Sequence, residues 1–389
     1  MQEVLNRYNP WWDKGYIFKD IIDRPLASQK IIEHVDTKHI VFLTGLRRVG
    51  KTTLLKLTVK YLLGKGVKPE EILYVSLDDY LLLKNSIQDI IEEFRKIHKL
   101  SRSKKVYLFF DEITYKNDFE LQLKNIYDSE NAKVFASSSS ASLIRQNKAL
   151  LTGRHYTLEV MPLDFNEYLT FKNITVKKTD SHLAEGHFED FMKTGGLPEY
   201  VLEGNMEYLK ELVDDIISKD IAAFHNIRNT AVLKDLFLLL MERSGKQVSL
   251  NKLARIIDIP VDSVKRYFDM FLSSYLIHAI PRFGKTNETI LSPKKIYAAD
   301  LGIRTLFTGF RDKGSLFENY VFLKIKGQHP SYVYKDKTEL DFMTEDKILI
   351  EVKYNDKMNE KQKVLFEQTK AKKKILIDSF KNVEEIADK

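Results

Sequence analysis

The stretch Ile40-Val41-Phe42-Leu43-Thr44-Gly45-Leu46-Arg47-Arg48-Val49-Gly50-Lys51-Thr52-Thr53 decides the fold of this chain. Its second half meets the phosphate-loop pattern G-x-x-x-x-G-K-[ST] at every required position. The apolar run Ile40–Leu43 reads as a buried strand, and Thr52-Thr53-Leu54-Leu55-Lys56-Leu57 reads as the start of a helix. Glycines at 45 and 50 let the backbone turn sharply and bring its N–H groups to phosphate oxygens. A helix N-terminus adds partial positive charge at the same place. Gly45, Arg47, Arg48, Val49, Gly50, Lys51, Thr52 and Thr53 are therefore expected to cradle a nucleoside triphosphate. Lys51 would reach the β- and γ-phosphates and the Thr52 hydroxyl would hold Mg²⁺.

A second apolar run, Val106-Tyr107-Leu108-Phe109-Phe110, has the pattern of a strand buried on both faces of a parallel sheet. It ends in Asp111-Glu112, at the strand edge where open α/β sheets bind ligands. Asp111 suits a residue that orients hydrated Mg²⁺, and Glu112 suits the base that polarises the attacking water. The guanine-reading signature Asn-Lys-x-Asp is absent from the sequence, which favours ATP.

The 389 residues are enough for two or three domains. A hydrophobic fraction of 43% and a charged fraction of 30% are ordinary for globular proteins. No apolar run approaches the ~18 residues of a membrane span, and the chain has no cysteine. The expectation is a cytoplasmic protein without disulfides and without membrane association. A net charge of +7 leans weakly toward an acidic partner, because 62 basic residues face 55 acidic ones.

Residues 1–38 hold an aromatic opening, Asn9-Pro10-Trp11-Trp12, and a helix near Leu26–Val35. From 39 to 160 the pattern alternates, with strands near 39–44, 72–77, 106–110, 133–137 and 155–160. Helices are expected between them near 52–63, 86–98, 118–128 and 141–151. Regular alternation argues a three-layer α/β sheet. Residues 163–228 read as wholly helical apart from a break at Thr194-Gly195-Gly196-Leu197-Pro198. Residues 230–290 read as three helices and a hairpin, and strands and helices mix again from 291.

With these segments in view, the chain resembles the prokaryotic AAA-type P-loop ATPases that carry a C-terminal helix-turn-helix and a nuclease-like region. The resemblance rests on Leu43–Leu55 with Arg47-Arg48 inside the loop. It extends to Met161–Leu169, Gly195–Tyr200, Asp215–Ile221 and Phe317–Ile325. It implies an ATPase domain over 1–162, a helical lid over 163–228, a winged helix-turn-helix over 229–290, and a PD-(D/E)xK nuclease-like α/β domain over 291–389. It also implies that the strand of Asp111 lies beside the phosphate-loop strand and that Glu112 is the catalytic glutamate. In Ser137-Ser138-Ser139-Ser140, Ser139 matches a γ-phosphate sensor. Gly153-Arg154 matches the family's Gly-Arg, making Arg154 a finger or sensor for the γ-phosphoryl.

The segment 230–285 carries the helix-turn-helix pattern. Ala231–Glu242 has Leu233, Leu236, Leu239 and Leu240 on one face. Ser249 is a natural N-cap for a second helix, Ile259-Pro260-Val261 makes the turn, and Asp262 is expected to cap a third. On a DNA-binding reading Ser263, Lys265 and Arg266 face a groove. On a protein-docking reading they are a solvated face.

At the C-terminal end, Glu318 lies in a helical stretch, followed by Glu339-Leu340-Asp341-Phe342-Met343 and Ile348-Leu349-Ile350-Glu351-Val352-Lys353. A carboxylate followed by Glu-x-Lys on the next strand resembles a metal-dependent nuclease core, with Glu318, Asp341 and Glu351 as ligands and Lys353 as a catalytic cation. Glu351 and Lys353 share a face. Asp341 joins them only through an odd-numbered connecting loop or a bulge; a four-residue turn at 344–347 would aim it away. Two functions remain open: an ATPase that drives or licenses a nuclease on DNA, and an ATP-operated switch whose C-terminal domains bind a partner. A homo-oligomer is compatible with either.

Overall fold

Strand β1 (Ile40–Thr44) is buried at all five positions, as an apolar run without polar alternation demands. In the computed structural model it pairs in parallel with β4 (Ala132–Ser138) on one side and β5 (His155–Glu159) on the other. Beyond β4 come β3 (Val106–Asp111) and then β2 (Ile72–Ser76), giving the order β2-β3-β4-β1-β5. The model describes residues 1–19, 21–139, 148–177, 181–383 and 386. The chain divides into two compact units, Met1–Met161 and Pro162–Lys389.

This order corrects one expectation. The strand of Asp111 is not beside the phosphate-loop strand; β4 stands between them. The interposed strand brings Ser137 and Ser138 to the same sheet edge as Thr44 and Asp111. The crossover helices Lys51–Gly64, Ile87–Ile97 and Phe119–Ser129 fall where periodicity placed them. Most of the helix expected at 141–151, like Ser140, lies outside the described residues. The aromatic opening covers the edge of β2. Asn9 Nδ2 donates to the Tyr74 carbonyl (2.8 Å), the Tyr74 N–H donates to Asn9 Oδ1 (2.6 Å), and Trp12 Nε1 donates to the Ile72 carbonyl (2.9 Å). An exposed strand edge is a template for unwanted pairing, and these contacts occupy it.

The second unit opens with the helices Phe165–Phe171, Ser181–Thr194, Pro198–Glu203 and Met206–Asp215. A π-helical segment, Ile216–Ala223, follows. The helix Thr230–Met241, β6 (Gln247–Val248), the helices Leu250–Ile257 and Val261–Ser273, β7 (Ile277–Ile280) and β8 (Lys294–Ala298) come next. These strands form one antiparallel sheet in the order β6-β8-β7. The expected boundary at 290 therefore cuts too early, because β8 is the central strand of that sheet. Ser249 does cap its helix, accepting from the Lys252 N–H. Asp262 is not a cap; the N-cap position of Val261–Ser273 is Pro260 and Asp262 lies in the first turn.

The remainder runs helix Lys313–Ile325, β9 (Ser331–Lys335), β10 (Thr338–Met343), β11 (Ile348–Val352), helix Glu360–Gln368 and β12 (Lys373–Ile377). Strands β9, β10 and β11 are antiparallel, and β12 joins β11 in parallel. Phe342 faces Ile350 and Met343 faces Leu349. The Thr344 N–H donates to the Ile348 carbonyl (2.9 Å), leaving three residues in the turn. Asp341 therefore stands opposite Glu351, on the same face of the sheet.

Candidate functional site

The loop after β1 owes its shape to a close backbone approach. Gly45 has φ +136°, and a Cβ there would lie 2.4 Å from the Val160 carbonyl oxygen. Only glycine fits beneath the end of β5. Gly50, at φ +96°, turns the chain into the helix Lys51–Gly64. Val49 is buried, Arg47 half-buried and Arg48 exposed. Arg24 ties the loop to the segment after β5, donating to the carbonyls of Val49 (2.8 Å) and Met161 (3.0 Å). The Lys51 ammonium donates to the Gly45 and Leu46 carbonyls, each at 3.0 Å.

Thr52 and Asp111 meet directly, with Thr52 Oγ1 donating to Asp111 Oδ2 at 2.6 Å. The same carboxylate accepts from the Tyr74 hydroxyl (2.8 Å) and from Ser137 Oγ. Burial, and then the charge of Asp111, push the Tyr74 phenol well above its ordinary range, so it stays a donor. Glu112 adopts a left-handed conformation (φ +50°), sparsely populated for a residue with a side chain. Its N–H donates to Ser137 Oγ (2.9 Å), and its carboxylate accepts from Ser139 Oγ (2.7 Å). Gly45, Lys51, Thr52, Asp111, Glu112 and Ser139 thus lie in one connected cluster at the C-terminal edge of the sheet. Tyr74 and Ser137 were not singled out from sequence; a tyrosine and a serine within apolar strands carry no motif.

Arg154 lies apart from this cluster. It precedes β5 at the opposite edge, where the Ile40 N–H donates to its carbonyl (2.9 Å) and Ile40 pairs with His155. The strand length between the edges is about 15 Å. Its guanidinium pairs with Asp128 at 3.3 Å and covers the Tyr127 ring. It does not reach the phosphate loop of its own chain.

In the second unit, Lys265 and Arg266 are exposed and Ser263 is half-buried on the helix Val261–Ser273. The Arg266 guanidinium lies over the Tyr267 ring.

The carboxylates of the last sheet do converge. Glu351 Oε2 accepts from the Asp341 N–H (3.1 Å), and Asp341 Oδ2 accepts from the Val352 N–H (2.9 Å). Lys353 pairs with Glu351 Oε1 at 2.8 Å, and Gln362 Nε2 donates to that oxygen at 3.1 Å. Burial, and then the neighbouring charge of Asp341, push Glu351 up to about 8 and Glu318 up to about 7. Burial works against the charge on Lys353, yet Asp341 and Glu351 hold its pKa above the ordinary value.

The proposed metal ligands do not fit a divalent ion as they stand. The ammonium of Lys295, from β8, is ion-paired with Glu339 (2.6 Å), Glu318 (2.7 Å) and Asp341 (3.1 Å). Among the described residues, no group of three or more His, Asp or Glu side chains is disposed to hold a metal ion. Lys295, Glu339 and Gln362 were missed from sequence. Lys294-Lys295 opening an apolar strand was the one available signal, and nothing in the order of residues ties it to Asp341.

Residues 37–169 match the family model described as "AAA domain", and residues 185–314 match a domain of unknown function. An uncharacterized protein of Methanocaldococcus jannaschii is 29% identical, covering 94% of this chain and 88% of its own length. An uncharacterized protein of Haemophilus influenzae is 27% identical, with 84% of each chain covered. Among solved structures, a Walker-type ATPase of Pyrococcus abyssi aligns at 15% identity and a TM-score of 0.45, covering 74% of this chain and 96% of its own. The AMPPCP-bound DnaA of Aquifex aeolicus aligns at 15% identity and 0.31, covering 67% and 91%. No described helix is long and apolar enough to cross a membrane. The phosphate loop and Asp111-Glu112 both fall within the residues that match this AAA domain.

Proposed function

We propose that this protein is an ATP-operated switch: it binds and hydrolyses ATP at the edge of the β2-β3-β4-β1-β5 sheet, and its second unit engages a partner. The carrying observation is the 2.6 Å contact between Thr52 and Asp111, a hydroxyl from the first turn of the helix Lys51–Gly64 and a carboxylate from the end of β3. That pair suits Mg²⁺, with oxygen donors of the kind this ion prefers. When bound, the ion would neutralise charge on the β- and γ-phosphates. The chain's own groups do the rest. Backbone N–H groups of residues 45–52 bind phosphate oxygens, Lys51 exchanges two carbonyl partners for phosphate, and Glu112 orients the attacking water. Ser139 holds the Glu112 carboxylate, while Tyr74 and Ser137 hold Asp111.

The test is nucleotide binding and turnover by the purified chain. Lys51→Ala removes a charge-assisted contact of about 1.5–3 kcal/mol, so ATP affinity should fall about 10- to 150-fold. Unchanged affinity by calorimetry would dismiss the phosphate-loop assignment.

DNA is the partner supported by Lys265 and Arg266, both exposed on the third helix of a winged helix-turn-helix arrangement. Replacing both by alanine should weaken DNA binding and lower its log–log salt slope by about one unit per lost phosphate contact. If neither affinity nor slope changes, the helix docks protein instead. Nuclease action is set aside because Lys295 engages the carboxylates a metal would need.

A further inference from the structure

We infer that Lys295 is the resident cation of the carboxylate cluster in the last domain, standing where a divalent metal would bind, so that this domain works without one. The inference does not depend on the ATPase reading. The Lys295 side chain is 1% exposed, and three carboxylate oxygens from two different elements surround its amine at 2.6–3.1 Å. These are ammonium–oxygen distances; Mg²⁺ would need its oxygens at about 2.0–2.1 Å.

The three carboxylates have further donors. Tyr297 donates to Glu318 (2.7 Å), Gln247 to Glu339 (2.6 Å) and the Val352 N–H to Asp341 (2.9 Å). Glu351 takes Lys353, Gln362 and the Asp341 N–H. A metal entering here would have to expel Lys295 and strip these partners. The expelled amine would have nowhere nearby to go, since Lys295 sits mid-sheet, paired with Gln247 on β6 and Ile280 on β7. A charge left buried without its partner is strongly destabilising. The lysine thereby joins the strand β8 to the β10 carboxylates by ion pairing, a contact that a metal ion could not make to an apolar strand.

Mn²⁺ binding to the full chain without nucleotide, followed by electron paramagnetic resonance, tests this. The wild type should show no Mn²⁺ site that Asp341→Asn removes. Lys295→Met, which keeps the stem and drops the charge, should gain one site at least tenfold tighter than any in the wild type. Adding Asp341→Asn to it should abolish that site. An Asp341-dependent Mn²⁺ site in the wild type overturns the inference, as does a folded Lys295→Met chain that gains none. Should Lys295→Met fail to fold, the wild type and Asp341→Asn still decide. Amine labelling read by mass spectrometry adds a check without variants: Lys295 should stay protected in millimolar Mn²⁺, and its labelling there would count against the inference.

Discussion

Glu112→Gln is expected to leave ATP bound and to slow its hydrolysis by about 10²- to 10⁴-fold, the usual contribution of a positioned general base. The amide keeps the size of the carboxylate and can still accept from Ser139, so the loop and its left-handed backbone at 112 need not change. What is lost is the negative charge that polarises the water. Asp111 keeps its own partners, Thr52, Tyr74 and Ser137, so binding should persist. Phosphate release measured beside equilibrium ATP binding separates the two quantities. Hydrolysis at the wild-type rate would remove Glu112 from the mechanism. A matching loss of binding would instead mean that the substitution disturbed the Asp111 network.

The nucleotide site was legible because its chemistry is contiguous. Gly45–Thr52 and Asp111-Glu112 each lie within a few residues, and each follows an apolar run that sequence patterning finds. What patterning could not give was the order of strands. An alternating β/α string fits several orders, and the insertion of β4 between β1 and β3 depends on crossover packing. That insertion is why Ser137 and Ser139 reach Asp111 and Glu112. The edge of Arg154 was legible too: a residue just before a strand of a parallel sheet lies at the edge opposite the phosphate loop.

In the C-terminal domain the deciding quantity was a single residue of turn length. With three residues between Thr344 and Ile348, Asp341 faces Glu351; with four it would have faced away. Both cases were visible beforehand, and nothing in Glu345-Asp346-Lys347 chose between them. Lys347 adopts φ +64°, which closes the shorter turn, although lysine carries no preference for that conformation. Lys295 was further out of reach. It lies 46 residues from Asp341, inside the same expected domain but in a strand that no motif marked.

The phrase Gly195-Gly196-Leu197-Pro198, first read as a helix break, is the basis of the other large effect: Gly302→Ala should destabilise the second unit. Gly302 lies in the first turn of the helix Leu301–Thr308, where alanine would by propensity gain about 1 kcal/mol. Packing decides the sign the other way. A Cβ at 302 would lie 2.0 Å from the Thr194 carbonyl oxygen, a backbone atom that no rotamer change can move. The two segments are interlocked from both sides. A Cβ at Gly195 would meet the Gly302 nitrogen at 2.3 Å, and the Gly196 N–H donates to buried Asp300 Oδ2 at 2.6 Å. The Ile303 N–H donates to Asp300 Oδ1 at 3.0 Å. Burial pushes Asp300 up to about 6 despite these donors. Forcing the backbones apart lengthens these hydrogen bonds as well as opening the contact. The loss should therefore exceed the ~1–3 kcal/mol typical of overpacking. Urea unfolding should shift to lower denaturant, and hydrogen exchange should show lost protection at the Gly196 and Ile303 amides. An unchanged or raised midpoint would mean that the two segments can separate without cost and that the glycines serve something other than this contact.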